Sequence, residues 1–122
     1  MKMPASELAD RLTIVLLKVG HGMPMADELD AYARACDEEG LIGFPGFMAL
    51  FAELFMYNAG IWQLEWQVRQ GKEGELSMEE VGRRALEIRN WNAKRIDAKN
   101  RIAALTGGFR EMKIDHVSEG AS

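Results

Sequence analysis

The stretch FMALFAELFMYNAGIWQLEWQVRQ, residues 47–70, decides the fold. Phe51, Leu54, Asn58, Ile61, Glu65 and Val68 recur at intervals of three and four, as residues along one packing seam of an α-helix do. Phe55, Trp62 and Trp66 form a second apolar strip beside that seam. A helix apolar over so much of its circumference is expected at the centre of a molecule.

Working outward, Gly71–Leu76 is a short polar connection of the length that joins antiparallel neighbours. Ser77 and Glu80 then spell the S-x-x-E capping box that opens a further helix. Its seam runs through Val81, Ala85, Ile88, Asn92, Arg95, Lys99 and Ile102, and Thr106, Gly107 and Gly108 are expected to stop it at about Leu105. Folding the two helices back on each other sets Val68 opposite Val81, Ile61 opposite Ile88 and Asn58 near Asn92. Upstream, a helix is expected from Ser6, as N-cap, to Val19. Leu8, Leu12, Val15, Leu16 and Val19 lie on one stripe, which Ile14 and Leu17 widen, so this helix too is expected either at the centre of the bundle or partly buried against another subunit. Gly20, His21 and Gly22 end it, glycine being able to take a left-handed cap conformation. Pro24 suits the first position of a second helix, whose stripe is Leu29, Tyr32, Ala33 and Cys36 and which Gly40 closes. Leu41–Gly46 reads as a linker wrapped over the bundle. The fold class is therefore all-α: one four-helix, bundle-like domain over residues 1–122, built on a long antiparallel hairpin (about 47–70 and 78–105). Residues 109–122 carry too little periodicity to assign. Phe109, Met112 and Ile114 are the tail residues able to tuck back onto the bundle.

At 122 residues the chain is long enough to bury a core without a disulfide or a metal. The net charge of −4, with acids and bases mixed along the chain, lacks the basic stripe of a nucleic-acid-binding surface. The apolar run Leu12–Leu17 is too short for a signal peptide or a membrane span, so a soluble, cytoplasmic protein is expected. The single cysteine, Cys36, has no partner for a disulfide or a zinc cluster and reads as apolar filler. No motif calls for a cofactor or a resident metal.

Two places in the seams are polar where apolar residues are the rule. Asn58 and Asn92 are expected to hydrogen-bond, to each other among other choices, because an unpaired buried amide costs about 1–3 kcal/mol. Glu65 falls near Arg84, one turn from Arg89, and a buried carboxylate there would draw an arginine. Polar seam residues fix register in many bundles. The alternative is that Asn58, Glu65, Arg69, Asn92, Arg95 and Lys99 line a polar pocket suited to a small anionic ligand, a phosphate or a carboxylate. Glu73, Glu75, Glu79, Glu80 and Glu87 form an acidic cluster in which a metal-dependent nucleotide or phosphate-ester hydrolase would hold Mg²⁺. Glu79 and Glu80 are equally explained by the helix start.

Ser6-Glu7-Leu8-Ala9-Asp10-Arg11-Leu12-Thr13-Ile14, followed by Leu17-Lys18, resembles the opening of a family of small, uncharacterised bacterial helical domains. The similarity continues in an Asn-x-x-Ile-Trp-x-x-Glu-x-x-x-Arg helix (Asn58, Ile61, Trp62, Glu65, Arg69) and an Asn-x-x-Arg-x-x-x-Lys helix (Asn92, Arg95, Lys99). It closes on Leu105-Thr106-Gly107-Gly108 and departs from the family pattern in the second helix and the linker 41–46. The resemblance implies no assigned activity and an accessory place beside glycan-related proteins. Residues and resemblance together lead to the expectation of a non-catalytic binding or assembly module. It is expected to be a homodimer through the apolar excess of the first and third helices, with the hydrolase as the rival reading.

Overall fold

A computed structural model describes residues 3–72, 74 and 76–118, with residues 70–72 and 108–118 described as backbone only. It contains four helices in chain order: α1 (Ala5–Gly20), α2 (Ala26–Glu38), α3 (Phe47–Lys72) and α4 (Met78–Ser118). There is no strand among the described residues, and no helix among them is long and apolar enough to cross a membrane.

The ends of α1 and α2 follow the same rule. Gly22 takes φ 88° after α1, and Met23 N–H returns to the Lys18 carbonyl at 3.0 Å while Gly22 N–H meets Val19 at 2.9 Å. Gly40 takes φ 75° after α2, with Leu41 N–H on Cys36 and Gly40 N–H on Asp37, both at 3.0 Å. Both are Schellman caps, in which a left-handed residue lets two amides satisfy the last carbonyls of the helix.

The starts differ from the sequence expectation. Ser6 lies inside α1, because the Pro4 carbonyl already accepts from Glu7 and Leu8 N–H, and no side chain caps this end. Pro24 lies outside α2, which begins two residues later. Met23 is still occupied in the cap of α1, so the chain turns through Pro24 before Met25 accepts the first helical bond from Leu29. At α4 the Ser77 half of the capping box forms, Glu80 N–H donating to Ser77 Oγ at 3.1 Å. The Glu80 carboxylate turns instead to the guanidinium of Arg83.

Thr106, Gly107 and Gly108 do not stop α4, which runs on to Ser118. Thr106 is fully buried, and its hydroxyl donates to the Ile102 carbonyl one turn back at 2.8 Å. Glycine inside a helix costs only about 1 kcal/mol relative to alanine, a penalty that tertiary packing can override. Residues 109–118 are thus helical backbone, and the placement of Phe109, Met112 and Ile114 side chains lies outside the described residues.

Helices α3 and α4 form the antiparallel hairpin. Glu53 pairs with Arg101 at 2.7 Å, Tyr57 lies edge-on to Trp91 with ring centroids 5.8 Å apart, and Arg84 donates to Gln67. This register agrees with the expected pairing to within about one turn. The hairpin closes tightly at Gly60, a Cβ built there lying 3.2 Å from the Trp91 ring.

The centre of the molecule is α1 rather than α3. Among the described residues, helix α1 packs on α2, α3 and α4, whereas α2 packs on α1 alone of the helices and α3 packs on α4 and α1. The apolar circumference of α3 does not translate into central position: Met48, Met56 and Trp66 are exposed. The core comprises Ala5, Leu8, Ala9 and Leu12 of α1, Cys36 of α2, Leu54 of α3 and Ala98 and Ile102 of α4. Leu41 and Phe47, at the two ends of the linker, complete it, so that segment is anchored in the core at both ends.

Candidate functional site

Helix α1 lies along the hairpin parallel to α3 and antiparallel to α4, and its underside carries a polar cluster. Asp10, only 3% exposed, is the hub. Arg95 reaches it with two bonds, Nε to Oδ1 at 3.1 Å and Nη2 to Oδ2 at 2.7 Å. Asn58 donates to Asp10 Oδ1 at 3.0 Å and to Thr13 Oγ1 at 2.7 Å, while Thr13 donates to the Asp10 carbonyl at 2.7 Å. Lys99 sits 3.7 Å from Asp10 Oδ2 and 3.1 Å from Glu7 Oε1. Asn92 accepts from Arg95 Nη1 at 3.1 Å.

Helical spacing builds this cluster. Glu7, Asp10 and Thr13 are three residues apart and share one face of α1, while Arg95 and Lys99 are four apart and share one face of α4. Two acids therefore face two bases across the α1–α4 contact, with the Asn58 amide closing the cluster from α3. Burial is the largest single influence on Asp10 and opposes its ionisation. The hydrogen bonds from Arg95 and Asn58 and the charges of Arg95 and Lys99 together outweigh it, so the carboxyl is held below its ordinary range. The bond from Lys99 leads in holding Glu7 down, against burial and helped by Arg11.

Of the six residues that the sequence singles out, Asn58, Asn92, Arg95 and Lys99 are brought together here. Asn58 and Asn92 do not bond each other, because Asp10, Thr13 and Arg95 offer each a better partner. Arg69 stands apart, and Glu65 joins Asn58, Asn92 and Arg95 only in lining a cleft, without bonding to them. Both are exposed, and neither has a hydrogen bond or ion pair among the described residues. The arginine expected at Glu65 is engaged elsewhere: Arg84 binds Gln67 and lies 3.6 Å from Glu80. A carboxylate that stays in water has no need of it.

Sequence reasoning missed Asp10, Thr13 and Glu7. An acid near a helix start such as Asp10 is explained by the helix dipole alone, although its i, i+3 relation to Glu7 matches the i, i+4 relation of Arg95 and Lys99.

A cleft opens on either side of this cluster. One, about 260 Å³, lies between α1 and α2 and is lined by Glu7, Asp10, Lys18, Glu28 and Tyr32 among others. The other, about 310 Å³, lies where α1 rides over the hairpin and is lined by Ile14, Leu17, Ile61, Trp62 and the polar groups of Asn58, Glu65, Asn92 and Arg95. The cations that an anionic ligand would need are already neutralised. Arg95 is committed to Asp10, Lys99 to Glu7 and Asp10, and the charge left over at the second cleft is the negative Glu65.

Among the described residues no group of three or more His, Cys, Asp or Glu side chains could hold a metal ion. In the acidic cluster read from the sequence, Glu80 is bonded to Arg83, and Glu73 and Glu75 lie outside the described residues. Cys36 is fully buried, and burial pushes its thiol pKa up, so it is held as the neutral, unreactive form.

No family model, no curated protein and no solved structure matches the chain.

Proposed function

We propose that this chain is a non-catalytic helical assembly module that works as a cytoplasmic homodimer. One observation carries the reading: α1 covers the hairpin only as far as Trp62, where the His21 ring meets the indole with centroids 4.8 Å apart. Beyond that point the stripes that carry α1 continue uncovered. Val68 on α3 and Val81 and Ile88 on α4 are only half-buried, and Trp66 (48%), Leu86 (56%) and Met78 (85%) are exposed around the same half of the hairpin. Apolar residues are exposed on the other half of the hairpin too, Met48, Met56, Ile96 and Leu105 among them. What singles out this half is that the stripes carrying α1 continue here with no helix over them among the described residues, and such a surface is suited to association.

The polar cluster supports the same reading from the other side. Its charges are balanced within the cluster, and it fastens α1 to the hairpin rather than presenting a free acid, base or nucleophile to a substrate. The test is the mass in solution by sedimentation equilibrium across a hundredfold range of concentration. A species of twice 13.7 kDa that dissociates on dilution is expected. A monomer at every concentration sinks the proposal.

A further inference from the structure

The uncovered stripe of α3 has a charge pattern that selects its occupant. Glu65 and Arg69 are four residues apart, both exposed, both centred on the face that α1 occupies further back at Asn58, and neither is bonded among the described residues. At this spacing they are neighbours on one face of the helix. An acid and a base so placed are self-complementary under two-fold rotation. If α3 crosses its copy antiparallel with the axis passing midway between them, each carboxylate meets the guanidinium of the other subunit, and the contact is made twice. Such isologous pairing is the commonest way for two copies of a chain to associate.

Resting on the assembly reading above, we infer that two copies interleave the ends of their hairpins, α3 against α3, with Glu65 of each chain paired to Arg69 of the partner subunit. The two hairpin ends together form a four-helix bundle. The half-buried Val68, Val81 and Ile88 stripe becomes its interior. The same axis brings Val68 of one copy toward Val68 of the partner subunit on one flank of the crossing, and Trp66 toward Trp66 of the partner subunit on the other flank. Helix α1 of each copy ends beside Trp62, with His21 reaching the cleft it shares with Trp66, so the crossing begins where α1 stops. Of the arginines of α4 nearby, Arg84 is occupied by Gln67 and Glu80 and Arg83 by Glu80; Arg89 is exposed like Arg69, but Arg69 is the one that shares the face of Glu65.

Charge reversal and swap test the pairing, read as the dimer dissociation constant by sedimentation. Glu65→Arg and Arg69→Glu each place like charges against each other twice, and each is expected to weaken the dimer at least about tenfold. The double swap, Glu65→Arg with Arg69→Glu, re-creates the pair and is expected to return the constant to within about threefold of the original. Both side chains are exposed, so the folded monomer keeps its helical circular dichroism in all three variants. A wild-type dimer whose constant is unchanged by either single reversal overturns this inference and leaves the assembly reading standing. Single losses that the swap does not restore overturn the mutual pairing. A wild-type chain that is monomeric throughout overturns both.

Discussion

The Asp10 carboxylate and the Arg95 guanidinium, 85 residues apart, meet in a two-point contact of 3.1 and 2.7 Å beneath α1. Asp10 is buried, whereas the Arg95 side chain keeps 23% of its exposure, so the pair is sunk on one side and wet on the other. Removing one member of such a buried pair leaves the other uncompensated. Asp10→Ala is expected to lower stability by about 3 kcal/mol, the low end for a broken buried pair, because Arg95 regains water. The double variant Asp10→Leu with Arg95→Met is expected to lose less than the sum of its single variants. Urea unfolding of the four proteins measures the coupling, and strict additivity would mean that the two groups do not act together.

The same pair sets an acid limit on stability. The folded pKa of Asp10 lies below its unfolded value, so the native state favours the ionised form. That contribution is complete above the unfolded value of about 3.9 and is lost as pH falls through the folded pKa. The stability difference between wild type and Asp10→Asn is therefore expected to be flat above about pH 5 and to shrink below about pH 4. A difference that widens in acid would contradict the sign of the shift.

Two glycines of the hairpin answer differently to the same change. Gly82 is exposed within α4 and an added Cβ meets nothing within 4 Å. Gly82→Ala is expected to stabilise by up to about 1 kcal/mol, through helix propensity. A Cβ added at Gly60 would lie 3.2 Å from the Trp91 ring, and that ring is itself held against Tyr57. Gly60→Ala is expected to gain nothing net, and Gly60→Val to cost about 1–3 kcal/mol by overpacking. Melting temperatures of the three variants decide it, and an equal gain at both alanine sites would mean that the hairpin closes less tightly than described.

Cys36 reports on the looseness of α2. The thiol is fully buried and its pKa raised by burial, yet among the described residues its helix packs on α1 alone of the helices. Alkylation by iodoacetamide is expected to be slow in the native protein. Its rate should respond to low urea before the far-ultraviolet signal changes, because an element with one neighbour opens below the global free energy. A rate that follows global unfolding alone would show α2 to be as firmly held as the hairpin.

The residues that were legible in the sequence are those whose neighbours are close in the chain. The α3–α4 register follows from a connection only a few residues long. The glycine caps at Gly22 and Gly40 follow from local backbone geometry. Asn58, Asn92, Arg95 and Lys99 stood out because each interrupts an apolar seam. Asp10 did not stand out, because an acid near a helix start has a sufficient local explanation and its partner on α4 is remote. Glu65 was misjudged because seam position does not by itself imply burial when the covering helix ends first. The central place given to α3 failed for the same reason: apolar residues all round a helix show what it can bury, and only the other helices determine what is covered. The extension of α4 through Gly107 was hidden because glycine marks a helix end only where the chain also turns.

The span from Asp10 to Arg95 also sets a sequence of events in synthesis. At about 5–20 residues per second, a ribosome delivers Arg95 roughly 4–17 s after Asp10. Helix α2 emerges early and can take its place on α1 at once, but the face of α1 carrying Asp10, Thr13 and Glu7 has to wait for the last third of the message. A nascent chain cut short before Arg95 would hold an α1–α2 pair with an acidic, half-finished underside. Completion of α4 is what turns that exposed, charged edge into the inside of a protein.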